Sequence, residues 1–174
     1  PGAVMLIAAL LIPMAPAALR AILLVGAPAI ALALVWQLPD TLATAPSFLG
    51  MTLEPIRADA LSRLFGTVFA LMGIAGGLYA LRQTNRTELS AAYAYMAFAF
   101  GVIFAGDLIT VLIFWELMAL GSATVIFASG TEAARRAGLR YLAVHLFGGV
   151  LLMAGVAGEV ASSGQVTFAS MLPD

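Results

Sequence analysis

Three ionisable side chains stand in the most apolar part of this sequence: Glu116, Arg140 and His145. An acid at the centre of a membrane helix costs about 2.5–3.5 kcal/mol on insertion scales, so such a group usually faces a bundle interior and marks a proton or ion path. A buried acid whose cationic partner can approach and withdraw is able to load and release a proton. The competing reading of Glu116 is a neutral, hydrogen-bonded side chain that holds two helices together. His145 stands at nearly the same depth as Glu116, where an imidazole can relay protons beside a carboxylate, or can be satisfied by a neighbouring carbonyl. Arg140 lies about one turn further out, where its guanidinium can snorkel to the headgroups. Asp107 reads as a solvated helix cap, and Arg135 and Arg136 as topology anchors.

Other chemistries find little to work with. The chain has eight Arg, no Lys, no Cys and one His, with a net charge of −1. No basic face exists to hold a nucleic acid. Without Cys there are no thiolate nucleophiles, iron–sulfur clusters or cysteine zinc sites, and a single His among scattered carboxylates lacks the spacing of a metal site. Gly73, Gly76 and Gly77 follow no strand, and together with Gly148, Gly149 and Gly155 they read as close helix packing rather than a phosphate loop. No cofactor, metal or bond-breaking chemistry is expected.

The elements that position these residues follow from composition. Of the 174 residues, 63% are hydrophobic and 10% charged, against roughly a quarter charged in soluble domains, which excludes an ordinary soluble fold and makes lipid or other membrane protein the surroundings. The apolar stretches predict an all-α membrane bundle of about six spans forming a single domain over residues 1–174: 2–19, 21–38, 64–81, 89–105, 108–129 and 137–158, with an extramembrane loop at 39–63. The run from Leu89 to Ser129 carries only Asp107 and Glu116 and is roughly twice a hydrocarbon thickness, so it folds back at Gly106-Asp107. Glu116 then lies ~13 Å into the fifth helix. Within the loop, Phe48 to Leu53 resembles a short strand bounded by Pro46 and Pro55. Arg20, Arg82, Arg86, Arg135, Arg136 and Arg140 fall at the ends that an outside N-terminus makes cytoplasmic and only Arg57 and Arg63 fall outside, which places both termini on the non-cytoplasmic side.

The run Asp107-Leu108-Ile109-Thr110-Val111-Leu112-Ile113-Phe114-Trp115-Glu116-Leu117-Met118, followed by Arg140-Tyr141-Leu142-Ala143-Val144-His145-Leu146-Phe147-Gly148-Gly149, resembles the start of the antiporter module. That module is shared by Mrp-type cation/proton antiporters, whose D-type polypeptide is the nearest in kind, by respiratory complex I and by membrane-bound hydrogenases. Arg57-Ala58-Asp59-Ala60-Leu61-Ser62 resembles the segment before the module's third helix. The resemblance covers nearly the whole chain but only the module's first six helices. It implies that Glu116 is a proton-pathway residue whose lysine partner stands on a seventh helix. Since the sequence has no Lys and stops at Asp174, the expectation is a fragment, or a short polypeptide related to the module's N-terminal half.

The leading expectation is therefore a subunit or fragment of a proton-translocating, antiporter-like complex in a bacterial inner membrane. It is not itself an enzyme, with membership of a proton-translocating oxidoreductase complex left open, and other integral membrane subunits are its partners. Glu116 supplies a half-channel acid, and Arg140 and His145 are the further pathway candidates. The alternative is a structural or assembly component that no longer transports. A third reading, a small-molecule transporter or quinone-binding component, rests only on Tyr93, Tyr95 and Trp115.

Overall fold

The computed structural model describes residues 1–40, 47–48 and 51–168, and among them the chain forms six α-helices. They are α1 (Gly2–Leu11), α2 (Ala17–Gln37), α3 (Ala60–Tyr79), α4 (Arg86–Ile103), α5 (Leu108–Phe127) and α6 (Glu132–Ser163). A short 3-10 turn, Ala80–Arg82, extends α3. Ser47–Phe48 (β1) pairs antiparallel with Met51–Thr52 (β2) in the loop before α3. The fold is an all-α membrane bundle.

The helix ends differ from those expected, each for a local reason. The first helix stops at Leu11 instead of continuing to Leu19, because Pro13 and Pro16 cannot donate backbone hydrogen bonds. Arg20, expected between two helices, lies in the first turn of α2, its N–H donating to the Pro16 carbonyl at 2.9 Å. Helix α3 starts at Ala60 rather than Leu64: the Asp59 carboxylate accepts from the Ser62 N–H and the Ser62 hydroxyl accepts from the Asp59 N–H, both at 2.8 Å, a reciprocal capping box. Asn85 caps α4, which begins three residues before the expected start. Thr131 likewise starts α6 at Glu132 rather than 137, and Gly164, at φ +69°, ends it in the left-handed conformation.

The six helices are those expected, and among the described residues four of them, α2, α3, α5 and α6, are by length and composition long and apolar enough to cross a membrane. The ten residues of α1 reach about 15 Å, half a hydrocarbon thickness. Helix α4 opens on Arg86 and Glu88, which shortens its apolar run.

The core lies among α1 to α4. Leu89, Tyr93, Ala97, Phe100 and Phe104 form one buried stripe at three- and four-residue spacing along α4, facing Met5 and Ala9 of α1 and Leu24 and Ala31 of α2. Helix α5 packs antiparallel on α4, and α6 antiparallel on α5. Cross-links between loops define two ends of the bundle. At one, the Arg86 guanidinium donates to the Pro13 carbonyl and the Asn85 amide to the Ala128 carbonyl, both at 2.8 Å, which gathers the α1–α2, α3–α4 and α5–α6 turns. At the other, Arg57 N–H donates to Phe104 O and Leu108 N–H to Val166 O. Arg82, Arg86, Arg135 and Arg136 belong to the first end with Glu88 and Glu132, and Arg57 and Arg63 to the second with Asp40, Glu54, Asp59 and Asp107.

Asp107 corrects one expectation. It caps α5 as anticipated, but it is wholly buried rather than solvated. Its carboxylate accepts from the Thr110 N–H at 2.7 Å, the Thr110 hydroxyl at 2.8 Å and the Glu54 N–H at 2.9 Å. Such charge-assisted bonds satisfy a group that burial would otherwise penalise heavily. They tie the start of α5 to the loop before α3.

Candidate functional site

Helix α6 meets α5 along one stripe. Gly138, Leu142, His145, Gly149, Leu152 and Val156 recur at alternating four- and three-residue steps and are buried or half-buried, while Val144, Phe147 and Val150 between them are exposed. The stripe is apolar except at His145. Two glycines in it let α5 approach: a Cβ on Gly138 would collide with the Phe127 ring, and one on Gly149 would collide with the Glu116 carboxyl, 2.9 Å from its Cδ. Gly148 and Gly155, expected to pack as Gly149 does, meet nothing within 4 Å. On α3, Gly73 packs against Pro28 and Met96 and Gly77 against Leu24, while Gly76 meets nothing.

Glu116 therefore points across the α5–α6 contact into the gap left by Gly149. Its Oε1 is buried and has no hydrogen-bond partner among the described residues. Leaving a buried polar atom unsatisfied costs about 1–3 kcal/mol, more for a charge. His145 lies one turn before Gly149 on α6, beside two rings: the Trp115 centroid is 5.8 Å away at an interplanar angle of 24°, and that of Tyr141 is 5.9 Å away at 38°. Its Nε2 is likewise buried without a partner among the described residues. The α5–α6 contact thus brings together two of the three candidate residues, each with one unmet polar atom.

Arg140 is not brought to them. It is exposed, its Nε lies 3.5 Å from the Arg136 carbonyl, and it makes no ion pair among the described residues. Arg135 and Arg136 pair with Glu132 at 2.8 and 3.0 Å. Among the described residues no cluster of His, Asp and Glu has the makings of a metal site.

Sequence reasoning did not place Trp115, Tyr141, Ser122 or Gly149 around the pair. The Tyr141 and Ser122 hydroxyls are 2.7 Å apart across the two helices. Trp115 stacks on His145 and Tyr141 lies tilted beside it, and Gly149 is the space that the carboxyl fills. One signal was available: Tyr141, His145 and Gly149 stand at i, i+4 and i+8, one face of a helix.

Residues 105–173 match the family described as NADH:quinone oxidoreductase/Mrp antiporter, transmembrane region. An uncharacterized protein of Methanocaldococcus jannaschii is 33% identical over 70 residues, 40% of this chain and 15% of its own length. The D-type polypeptide of a Na(+)/H(+) antiporter from Bacillus subtilis is 28% identical over 121 residues, 67% of this chain and 24% of its own. The fold is similar, with a TM-score of 0.72 and 18% identity, to a chain of the membrane-bound sulfane sulfur reductase, an archaeal respiratory membrane complex; the match covers 97% of this chain and 38% of that one. The chain thus spans a quarter or less of these two curated relatives. With its apolar spans it is an integral membrane protein, and residues 105–173 are similar to the transmembrane region described for NADH:quinone oxidoreductases and Mrp antiporters.

Proposed function

We propose that this chain contributes a mid-membrane acid to a proton-translocating, antiporter-like complex, Glu116 taking up and releasing the proton and His145 relaying it. The observation that carries the reading is the buried, unpartnered Oε1 of Glu116 held against Gly149, one turn from an equally unpartnered His145 Nε2. Two such atoms in one helix contact are poorly explained by packing, because a purely structural contact would be more stable with its polar atoms paired or replaced by apolar ones. Exchange of a cation for the proton is inferred from the Bacillus subtilis antiporter relative. Arg140 stands in this reading near the arginine-bearing end of the same contact, and a lysine or other cation from outside this sequence completes the path. Other integral membrane subunits are the partners, and a bacterial inner membrane the setting. The clustering of Arg82, Arg86, Arg135 and Arg136 at one end supports a cytoplasmic position for that end and non-cytoplasmic termini.

Glu116→Gln tests the reading, because the amide keeps size and hydrogen-bonding capacity and removes the exchangeable acid. In membranes containing the whole complex, the variant assembles normally and lowers proton-coupled transport at least about tenfold, the scale of losing an essential acid–base group. A structural or assembly role gives the opposite pattern: full activity with Gln, and poor assembly with Glu116→Leu.

A further inference from the structure

The Ser122 hydroxyl has a single proton, and it lies 3.0 Å from both the Met118 and the Ala119 carbonyls of its own helix. With that proton directed at the α5 backbone, the Ser122 oxygen is left as acceptor, so the 2.7 Å contact across the helices is donated by Tyr141. The Tyr141 hydroxyl proton is thereby committed to α5. Its ring, fixed at the hydroxyl end by Ser122 and at the Cα end by α6, forms one wall beside His145, and Trp115 of α5 forms another.

Neither wall offers a strong acceptor to the imidazole. A Tyr ring presents a π face, and the only polar hydrogen of Trp is an indole donor. A histidine in an ordinary helix contact would turn until a carbonyl or hydroxyl satisfied each nitrogen. Here the ring lies in an orientation that leaves Nε2 buried and unpaired among the described residues, one turn from Gly149, whose gap the Glu116 carboxyl fills.

We infer that the Ser122–Tyr141 hydrogen bond is a positioning device for His145, keeping the imidazole in its aromatic slot with Nε2 free to exchange a proton along the α5–α6 contact. The inference rests on the proposed role of Glu116 and His145 in proton movement. Tyr141 and Ser122 hold the relay and do not themselves carry the proton, which passes through a bridging water between imidazolium and carboxylate, turning one into neutral imidazole and the other into neutral acid.

Tyr141→Phe keeps the ring and deletes the donor, Ser122→Ala deletes the acceptor, and Ser122→Thr keeps a hydroxyl. Each is measured in membranes holding the whole complex, with transport scaled to the amount assembled and Glu116→Gln run alongside. The expected result is a roughly three- to tenfold lower maximal rate for Tyr141→Phe and for Ser122→Ala, no further loss in the double variant, restored rate with Ser122→Thr, and a larger solvent deuterium isotope effect in the impaired variants. One shared bond makes the two losses non-additive. Wild-type rates in both single variants while Glu116→Gln is inactive overturn the positioning role and leave the Glu116 reading standing. Losses that multiply in the double variant overturn it as well. Normal transport with Glu116→Gln overturns the Glu116 reading itself. Should Tyr141→Phe fail to assemble, the comparison of Ser122→Ala with Ser122→Thr decides by the same criterion.

Discussion

The Tyr93 hydroxyl of α4 donates to the Leu24 carbonyl of α2, the oxygen that Pro28 leaves without its helical donor. In a regular helix the N–H of residue 28 would bond to the carbonyl of residue 24, and proline has none. The same remedy appears next door: Pro13 leaves the Ala9 carbonyl of α1 open, and the Ser90 hydroxyl fills it at 2.6 Å. Ser90 and Tyr93 are three residues apart on α4, so one face of one helix repairs the proline breaks of two others. Both bonds lie in a setting where water is scarce, and an open backbone carbonyl there is costly.

Tyr93→Phe is accordingly expected to destabilise the protein by about 1–3 kcal/mol, the penalty of an orphaned buried acceptor. The double variant Tyr93→Phe with Pro28→Ala recovers much of that loss, since residue 28 regains its N–H. Thermal unfolding of the detergent-solubilised complex checks both, and an absence of recovery would show that Tyr93 acts through something other than the Leu24 oxygen.

Two adjacent glycines make a sharp comparison. A Cβ at Gly149 collides with the Glu116 carboxyl, whereas one at Gly148 meets nothing within 4 Å. Gly149→Ala is expected to displace the acid and cut proton-coupled transport about tenfold or more, on the scale of losing an acid–base group. Gly148→Ala should leave transport unchanged and, from helix propensity alone, stabilise α6 slightly. Equal effects of the two would mean that the carboxyl does not occupy that gap.

At the other end of the molecule, the Asp59 cap gives a pH dependence of defined sign. The Ser62 backbone N–H, followed by the Ser62 hydroxyl and Arg57, holds the Asp59 carboxyl below its ordinary value. A group with a lowered folded pKa contributes stability above its unfolded value and loses it as pH falls through the folded value. The difference in melting temperature between the native protein and Asp59→Ala should thus be constant above about pH 5 and shrink as the pH drops below about 4. Asp59→Asn, which keeps a capping oxygen, should show a smaller and pH-independent difference from Asp59→Ala.

Topology is testable through single cysteines at Gln83 and Gly130. The Asn85–Ala128 hydrogen bond joins their two turns at one end of the bundle, so both positions label from the same side whatever the orientation. The proposed orientation, taken from the arginines beside them, predicts that this side is cytoplasmic. Labelling from opposite sides would contradict the fold, and labelling of both from outside would reverse the proposed orientation.

Much of this arrangement was readable without coordinates. Apolar composition required a membrane bundle, and the length of the apolar run set Glu116 well inside the fifth helix. The Asp107 turn between the fourth and fifth helices needed only the length of the run around it. These are properties of the chain along its own axis, and hydropathy measures them directly. Which way each helix faces was not readable, because a helix that is apolar all round carries no amphipathic stripe to distinguish inside from outside. Only the tertiary structure separates Gly149 from Gly148, buries Asp107 against Glu54, and sets Tyr141 opposite Ser122. The early end of α1 belongs partly to sequence, through Pro13 and Pro16. Its tolerance is tertiary, because the carbonyl that Pro13 exposes is satisfied by a hydroxyl 81 positions away, brought there by packing.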